Sequence, residues 1–327
     1  MDLRFQRWLR RVSFDLAYGV SLVFGTVLLA FILFQVFPAD PARLALGPGA
    51  SEAAVDNLRE RWGLDDPLPV RLSNYLLGVV RLDFGTTFRE EQSVSRVVWE
   101  RFQVTASLGL RAAFLALIGS YLISFLAQVF RTLRWLPAVL SWAVAFTSFL
   151  LAILGALLLA TLAPSVALTG SEEGLWTAHW LPAVILSIYP MALMLRVLDG
   201  KFSEIRKRLY YQAQLAAGFS RLHLFHRVLL RPAAISWLAV LFNQLSLLFL
   251  ATMIVEVIYT IPGSGQLLTQ AVQRGDFPLI QGILVFNGVF FVALFFLSER
   301  IYERLSPPSV NARDQRAVFF RALAKVP

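Results

Sequence analysis

The 327-residue chain contains no cysteine and only three histidines. Disulfides, thiolate metal sites and a cysteine nucleophile are therefore excluded. His223 and His226 stand three residues apart and His179 lies in a distant segment, with no carboxylate cluster near either, so the sequence offers no metal site. No glycine-rich phosphate loop of the G-x-x-x-x-G-K-[ST] type occurs, so nucleotide hydrolysis is expected on other subunits. No Ser/His/Asp or Cys/His arrangement with credible geometry is present either, and the chain is read as a non-enzyme. Charged residues make up only 16%, and acidic residues are fewer than basic ones, 21 against 30.

What the sequence does have is apolar length. Hydrophobic residues make up 57% of the chain, which points away from two soluble domains and toward a polytopic membrane protein. A spanning helix needs about 20 apolar residues at a rise of about 1.5 Å each. Six runs qualify: Leu16–Phe37, Val104–Phe130, Leu136–Leu162, Trp180–Val197, Ile235–Tyr259 and Leu279–Leu297. The first is too long for the core of a signal peptide and no small-residue cleavage site follows, so it is expected to remain as a spanning helix. The predicted fold is all-α with six transmembrane helices, and an even count places both termini on one side.

Basic residues decide which side. The net charge of +9 is spread over short loops between apolar runs, so it does not indicate nucleic acid. Arg4, Arg7, Arg10 and Arg11 precede the first run, and Arg131 and Arg134 follow the second. Lys201, Arg206, Lys207, Arg208, Arg221, Arg227 and Arg231 crowd one central loop, and the tail is basic again. The opposite loops Ala163–His179 and Thr260–Pro278 carry only Arg274. Both termini and the central loop are thus expected in the cytoplasm.

The central loop, Lys201–Pro232, is the longest polar interruption in the C-terminal two thirds. Read as a helix, it repeats Phe202, Ile205, Leu209, Ala213 and Ala216 at steps of three and four, predicting one apolar face. Gly218 suits a left-handed turn after it, and Ser220 suits the N-cap of a helix returning into the membrane. Such an element either presents a knob to a protein or rests on lipid as a basic loop. On the opposite side, Pro38–Phe102 mixes both charge signs. Ser51 and Glu52 open a predicted helix to Trp62 that Gly63 ends, and Pro67 and Pro69 are expected to break the chain.

Three stretches carry a family resemblance. The run Tyr210, Tyr211, Gln212, Ala213, Gln214, Leu215, Ala216, Ala217, Gly218, Phe219 and Ser220 resembles the cytoplasmic "EAA" loop of ABC-importer permeases. It is most similar to B-type subunits of the dipeptide/oligopeptide/nickel family. In that family the loop is a coupling helix seated in a groove of a separate ATPase, where small side chains permit close approach. The GPGAS turn, the stretch around RWGLDDPLPV and LDFGTTFR resemble the family's first periplasmic segment. Val255–Gly265, with Pro262, Gly263 and Gly265 forming a tight periplasmic turn, is similar to the family's turn before the last helix.

The resemblance implies a type I ABC-importer permease subunit in a bacterial or archaeal inner membrane. It would form half of a translocation pathway for peptides or similar small solutes, nickel chelates included. Implied partners are a second homologous permease, two ABC ATPases carrying ATP and Mg, a periplasmic binding protein and the bilayer, with no nucleic acid and no cofactor on this chain. The implied division is 1–37 (cytoplasmic N-terminus and first span), 38–103 (periplasmic), 104–303 (core, with coupling loop 201–232) and 304–327 (cytoplasmic tail). The alternatives are a membrane-embedded assembly or scaffold subunit, and a secondary transporter without an ATPase. The latter is disfavoured by the lack of an inverted repeat.

Polar residues within apolar runs are translocation-path candidates: Arg111, Asn243, Gln244, Ser246, Glu256 and Asn287. Arg111 and Glu256 are expected at similar depth, so an ion pair between them is one prediction and snorkelling of Arg111 to the interface is the other. Asn and Gln side chains also serve as interhelical glue. The third run departs from the family, which has a proline-containing break where this chain reads Ala145-Phe146-Thr147-Ser148-Phe149.

Overall fold

The computed structural model describes residues 17–32, 41–47, 49–61, 63–87, 92–146, 148–162 and 175–305. The N-terminal arginines and the basic tail lie outside the described residues. Among those described, the regular structure is helical, apart from an isolated antiparallel bridge between Thr86 and Ser93.

The apolar runs become long helices. Helix α1 covers Ala17–Ile32. A cap follows, made of α2 (Pro41–Leu46), α3 (Glu52–Arg61) and α4 (Leu68–Arg81). Then come α5 (Val94–Val129), α6 (Leu136–Ser141), α7 (Ser148–Leu162) and α8 (Leu175–Arg206). Short α9 (Leu209–Ala216) leads to α10 (Arg221–His223), which continues through π-helical Leu224–Leu230 into α11 (Arg231–Ile258). Helices α12 (Ser264–Arg274) and α13 (Phe277–Leu305) complete the described chain. Four helices are long and apolar enough to cross a membrane: Val94–Val129, Trp180–Arg206, Arg221–Ile258 and Phe277–Ile301. The described part of α1 is shorter.

The expected third span is broken. Leu136–Ala145 and Leu150–Leu157 are inclined at 106°, so they add at most one crossing, and the described residues give four or five spans beside α1, whose run is described only over 17–32. The break falls at the position where the family has its proline, although none is present here. Trp142–Ala145 tightens into a 3-10 turn and Phe146 becomes extended, which ends the helix without one.

The cap corrects a second expectation. Pro67 and Pro69 begin α4 instead of breaking the chain, because the first helical turn needs no intrahelical N–H donor. Tyr75, Leu76 and Val79 of α4 pack against Val27 and Ala30 of α1 and Val285 of α13. Ser51 and Gly63 behave as expected at the ends of α3: the Ala54 N–H donates to Ser51 Oγ at 3.3 Å, and Gly63 has φ 61°.

Helices α5, α8 and α11 form the core. Small residues let α5 approach its neighbours closely: Ala112 and Ala116 are fully buried, as are Ala183 on α8 and Ala233 on α11. Buried hydroxyls bond to their own helix. Ser187 Oγ donates to Val184 O at 2.7 Å, and Thr252 Oγ1 donates to Phe249 O at 2.6 Å. The first half of α5 reaches the turn before α12, and its last turn reaches the start of α10. The bundle therefore has an α12 end and an α9 end.

Candidate functional site

At the α9 end the local sequence builds a projection. Phe202 and Ile205 are buried and finish α8. Arg208 then takes an extended backbone, and α9 starts afresh at Leu209. The single apolar face expected over Phe202–Ala216 is therefore split. Leu209 is 83% exposed, and Ala213 and Ala216 also face outward. The charges beside the break are satisfied locally: Glu204 accepts from Arg208 at 2.8 Å and from Lys201 at 3.3 Å, both on the surface.

The α9 C-terminus follows the expected chemistry. Gly218 sits at φ 78°, where a side chain would be strained. Ser220 caps the next helix by accepting from the His223 N–H at 3.3 Å. Of the predicted coupling residues, Tyr210, Gln212, Ala213, Ala216, Ala217, Gly218, Phe219 and Ser220 are exposed. Tyr211 and Gln214 are half-buried, and Tyr211 packs on the core. Leu215, quoted in the coupling-like run, is 55% exposed, and Leu209 and Leu222, which sequence reasoning did not assign to the outward knob, belong to it, Leu222 being 54% exposed. Phe219 stacks on His223, with ring centroids 4.7 Å apart.

The α12 end is closed instead. Helix α11 stops at Tyr259, and Thr260 turns left-handed at φ 54°. The Glu256 carboxylate, fully buried, accepts from the Gly265 N–H at 2.7 Å. A Cβ on Gly263 would overlap that carboxylate, and one on Gly265 would strike the Met253 backbone. Thr105 of α5 ties the same turn: its Oγ1 accepts from the Ser264 N–H at 2.9 Å and lies 3.0 Å from Ser264 Oγ. Arg101 donates to Pro262 O at 3.4 Å. Thr260–Pro278, read from sequence as a turn, contains α12. Leu267 and Ala271, four residues apart and both buried, carried that signal.

The path candidates do not converge. Asn243 is exposed on α11, with Gln244 and Ser246 half-buried beside it. Asn287 is buried on α13. Arg111 is half-buried on α5, its guanidinium carbon 5.8 Å from the Trp180 ring centroid. Of the two readings of Arg111, an ion pair with Glu256 and snorkelling to the interface, the ion pair is not formed. Similar depth does not fix the direction a side chain faces around its helix, and Glu256 has a nearer donor in Gly265. Among the described residues no group of three or more His, Cys, Asp or Glu is placed to hold a metal.

Sequence comparisons agree with this architecture. Residues 106–308 match the family described as binding-protein-dependent transport system inner membrane component, and residues 6–109 match the corresponding N-terminal family. A putative peptide transport system permease protein of Brucella abortus is 31% identical over 300 residues, covering 89% of this chain and 96% of the relative. The dipeptide transport system permease protein of Bacillus subtilis is 29% identical over 283 residues, covering 85% and 91%. A glutathione transport system permease protein of Salmonella choleraesuis is 28% identical over 283 residues, covering 85% and 92%. The chain belongs to the family of inner-membrane components of binding-protein-dependent transport systems. It is a multi-pass ABC-importer permease subunit of the dipeptide/oligopeptide group, which decides against the scaffold and secondary-transporter alternatives.

Proposed function

We propose that this chain forms half of a translocation pathway for short peptides or similar small solutes, driven by ATP hydrolysed on partner subunits. The peptide class is supported by the names of its relatives, which transport peptides, dipeptides and glutathione. Helix α9, with Tyr210–Ser220, is the coupling element and faces the cytoplasm, as the basic residues around it require. Two ABC ATPases carrying ATP and Mg dock there, a second homologous permease completes the pathway, and both termini are cytoplasmic. A binding protein delivers solute at the opposite side, against the 38–103 segment and the Pro262–Gly265 turn. Arg111, Asn243, Gln244 and Ser246 line or border the pathway. Glu256 and Asn287 are buried within the subunit, where Glu256 acts on the pathway by holding the turn at Gly265 in place.

The observation that carries this reading is the α9 knob. A helix of eight residues with no buried position, ringed by Leu209, Leu215, Phe219 and Leu222, is an unfinished contact. Closure of the ATPases would push it and move the helices as rigid bodies. Cysteines introduced at Ala213 or Ala217 will be the only ones in the chain. Each should cross-link to a co-expressed ATPase subunit, and cross-links that never reach one would overturn the coupling role.

A further inference from the structure

The helix leaving the coupling element is not a regular α-helix. Leu224–Leu230 is π-helical, a local widening that is rare and recurs at functional sites. His226 lies within it, and both its ring nitrogens are engaged. Nδ1 is 3.1 Å from Leu222 O, and Nε2 is 2.8 Å from the Tyr121 hydroxyl on α5. A carbonyl can only accept, so Nδ1 carries a proton, and in the neutral ring Nε2 accepts from the Tyr121 hydroxyl. Phe225 is fully buried beside this bond, with its ring 5.8 Å from Tyr121, 5.3 Å from Phe125 and 5.9 Å from Phe202.

Three further bonds join the same end of α5 to α8, α10 and α11. Arg206, just before α9, donates to Gln128 Oε1 at 2.5 Å. Arg221, just after it, donates to Val129 O at 2.7 Å. Trp237 Nε1 donates to Ser120 Oγ at 3.0 Å. All four land on residues 120–129, while the main neighbours of α9 among the described residues are α8 and the π segment. A displacement of α9 is therefore delivered to the last turns of α5. We propose that the Tyr121–His226 hydrogen bond is the latch of this transmission, making both side chains positioning residues for transport. The proposal rests on the coupling reading of α9. It adds which helix is driven and through which bond.

The test uses the assembled complex in proteoliposomes. Spin labels are attached to Leu122→Cys on α5 and Val272→Cys on α12, both exposed positions in a chain without native cysteine. ATP, Mg and vanadate trap the closed ATPases, and the label separation is compared with the nucleotide-free state. The unsubstituted latch should show a shifted distance population. Tyr121→Phe and His226→Leu should each lower the ratio of shifted to unshifted population about three- to tenfold, as expected for one lost hydrogen bond. ATPase subunits should co-purify undiminished. The double variant should be no worse than either single one, because both remove the same interaction. His226→Gln, whose amide can both donate and accept, should restore the shift.

An unchanged shift in Tyr121→Phe, additive losses in the double variant, or loss of bound ATPase together with the shift would overturn the latch. No shift in the parent complex would instead overturn the coupling reading itself. The two failures are thus distinguishable.

Discussion

The turn at Thr260–Gly265 and the loop at Lys207–Ser220 both reverse the chain between long helices, and both use glycine, yet they are finished differently. In the first, Glu256, Ser264 and Gly265 are buried, and the carboxylate and the Thr105 hydroxyl accept from the Gly265 and Ser264 N–H groups of the turn. In the second, no α9 residue is buried, and the capping reduces to Gly218 and Ser220. A closed turn satisfies its polar groups within the chain. An open loop that projects leucines leaves their apolar surface exposed. The comparison separates an end of the bundle closed by its own residues from an end left exposed, which is the end proposed to meet the ATPases.

Substitutions can break this contrast. The largest effect is expected for Gly265→Ala, whose Cβ meets the Met253 backbone rather than a movable side chain. It should destabilise the subunit by about 3 kcal/mol, read as a lower melting temperature of the detergent-solubilised complex. Glu256→Ala comes next. It leaves the Gly265 N–H unpaired in a buried site at a cost of about 2 kcal/mol, while Glu256→Gln keeps an acceptor and should melt close to the parent. A Gln variant as unstable as the Ala variant would show that the carboxylate acts through its charge, as a pathway residue would. The smallest shift in melting is expected at the other end. Leu209→Ser should stay within about 0.5 kcal/mol because the side chain is exposed, yet it should reduce ATPase co-purification. Large destabilisation from Leu209→Ser would mean that both ends serve the fold.

What was legible in the sequence was mainly what is local. Gly218 and Ser220 act through backbone groups within a few residues, so their roles could be read directly. The apolar runs were legible because solvent class depends on composition. The interruption at Lys207–Arg208 was not, since neither residue is a helix breaker, and so Leu209 was assigned to the wrong face. Proline misled twice: Pro67 and Pro69 start a helix, and the third run breaks without any. Helix α12 was hidden between Pro262 and Pro278, which read together as one long turn. Contacts between distant residues left no local sign. Tyr121 and His226 lie 105 positions apart, and Glu256 met Gly265 instead of the arginine that depth alone suggested.

The bareness of α9 also bears on how the subunit is made. On the proposed coupling role, copies synthesised in excess of the partner that covers Leu209, Leu215 and Leu222 would display an exposed leucine cluster. Surplus copies would self-associate there or be recognised by chaperones and membrane proteases. Matched synthesis of this chain and the subunit that covers α9 would then, on the proposed coupling role, be a requirement of assembly.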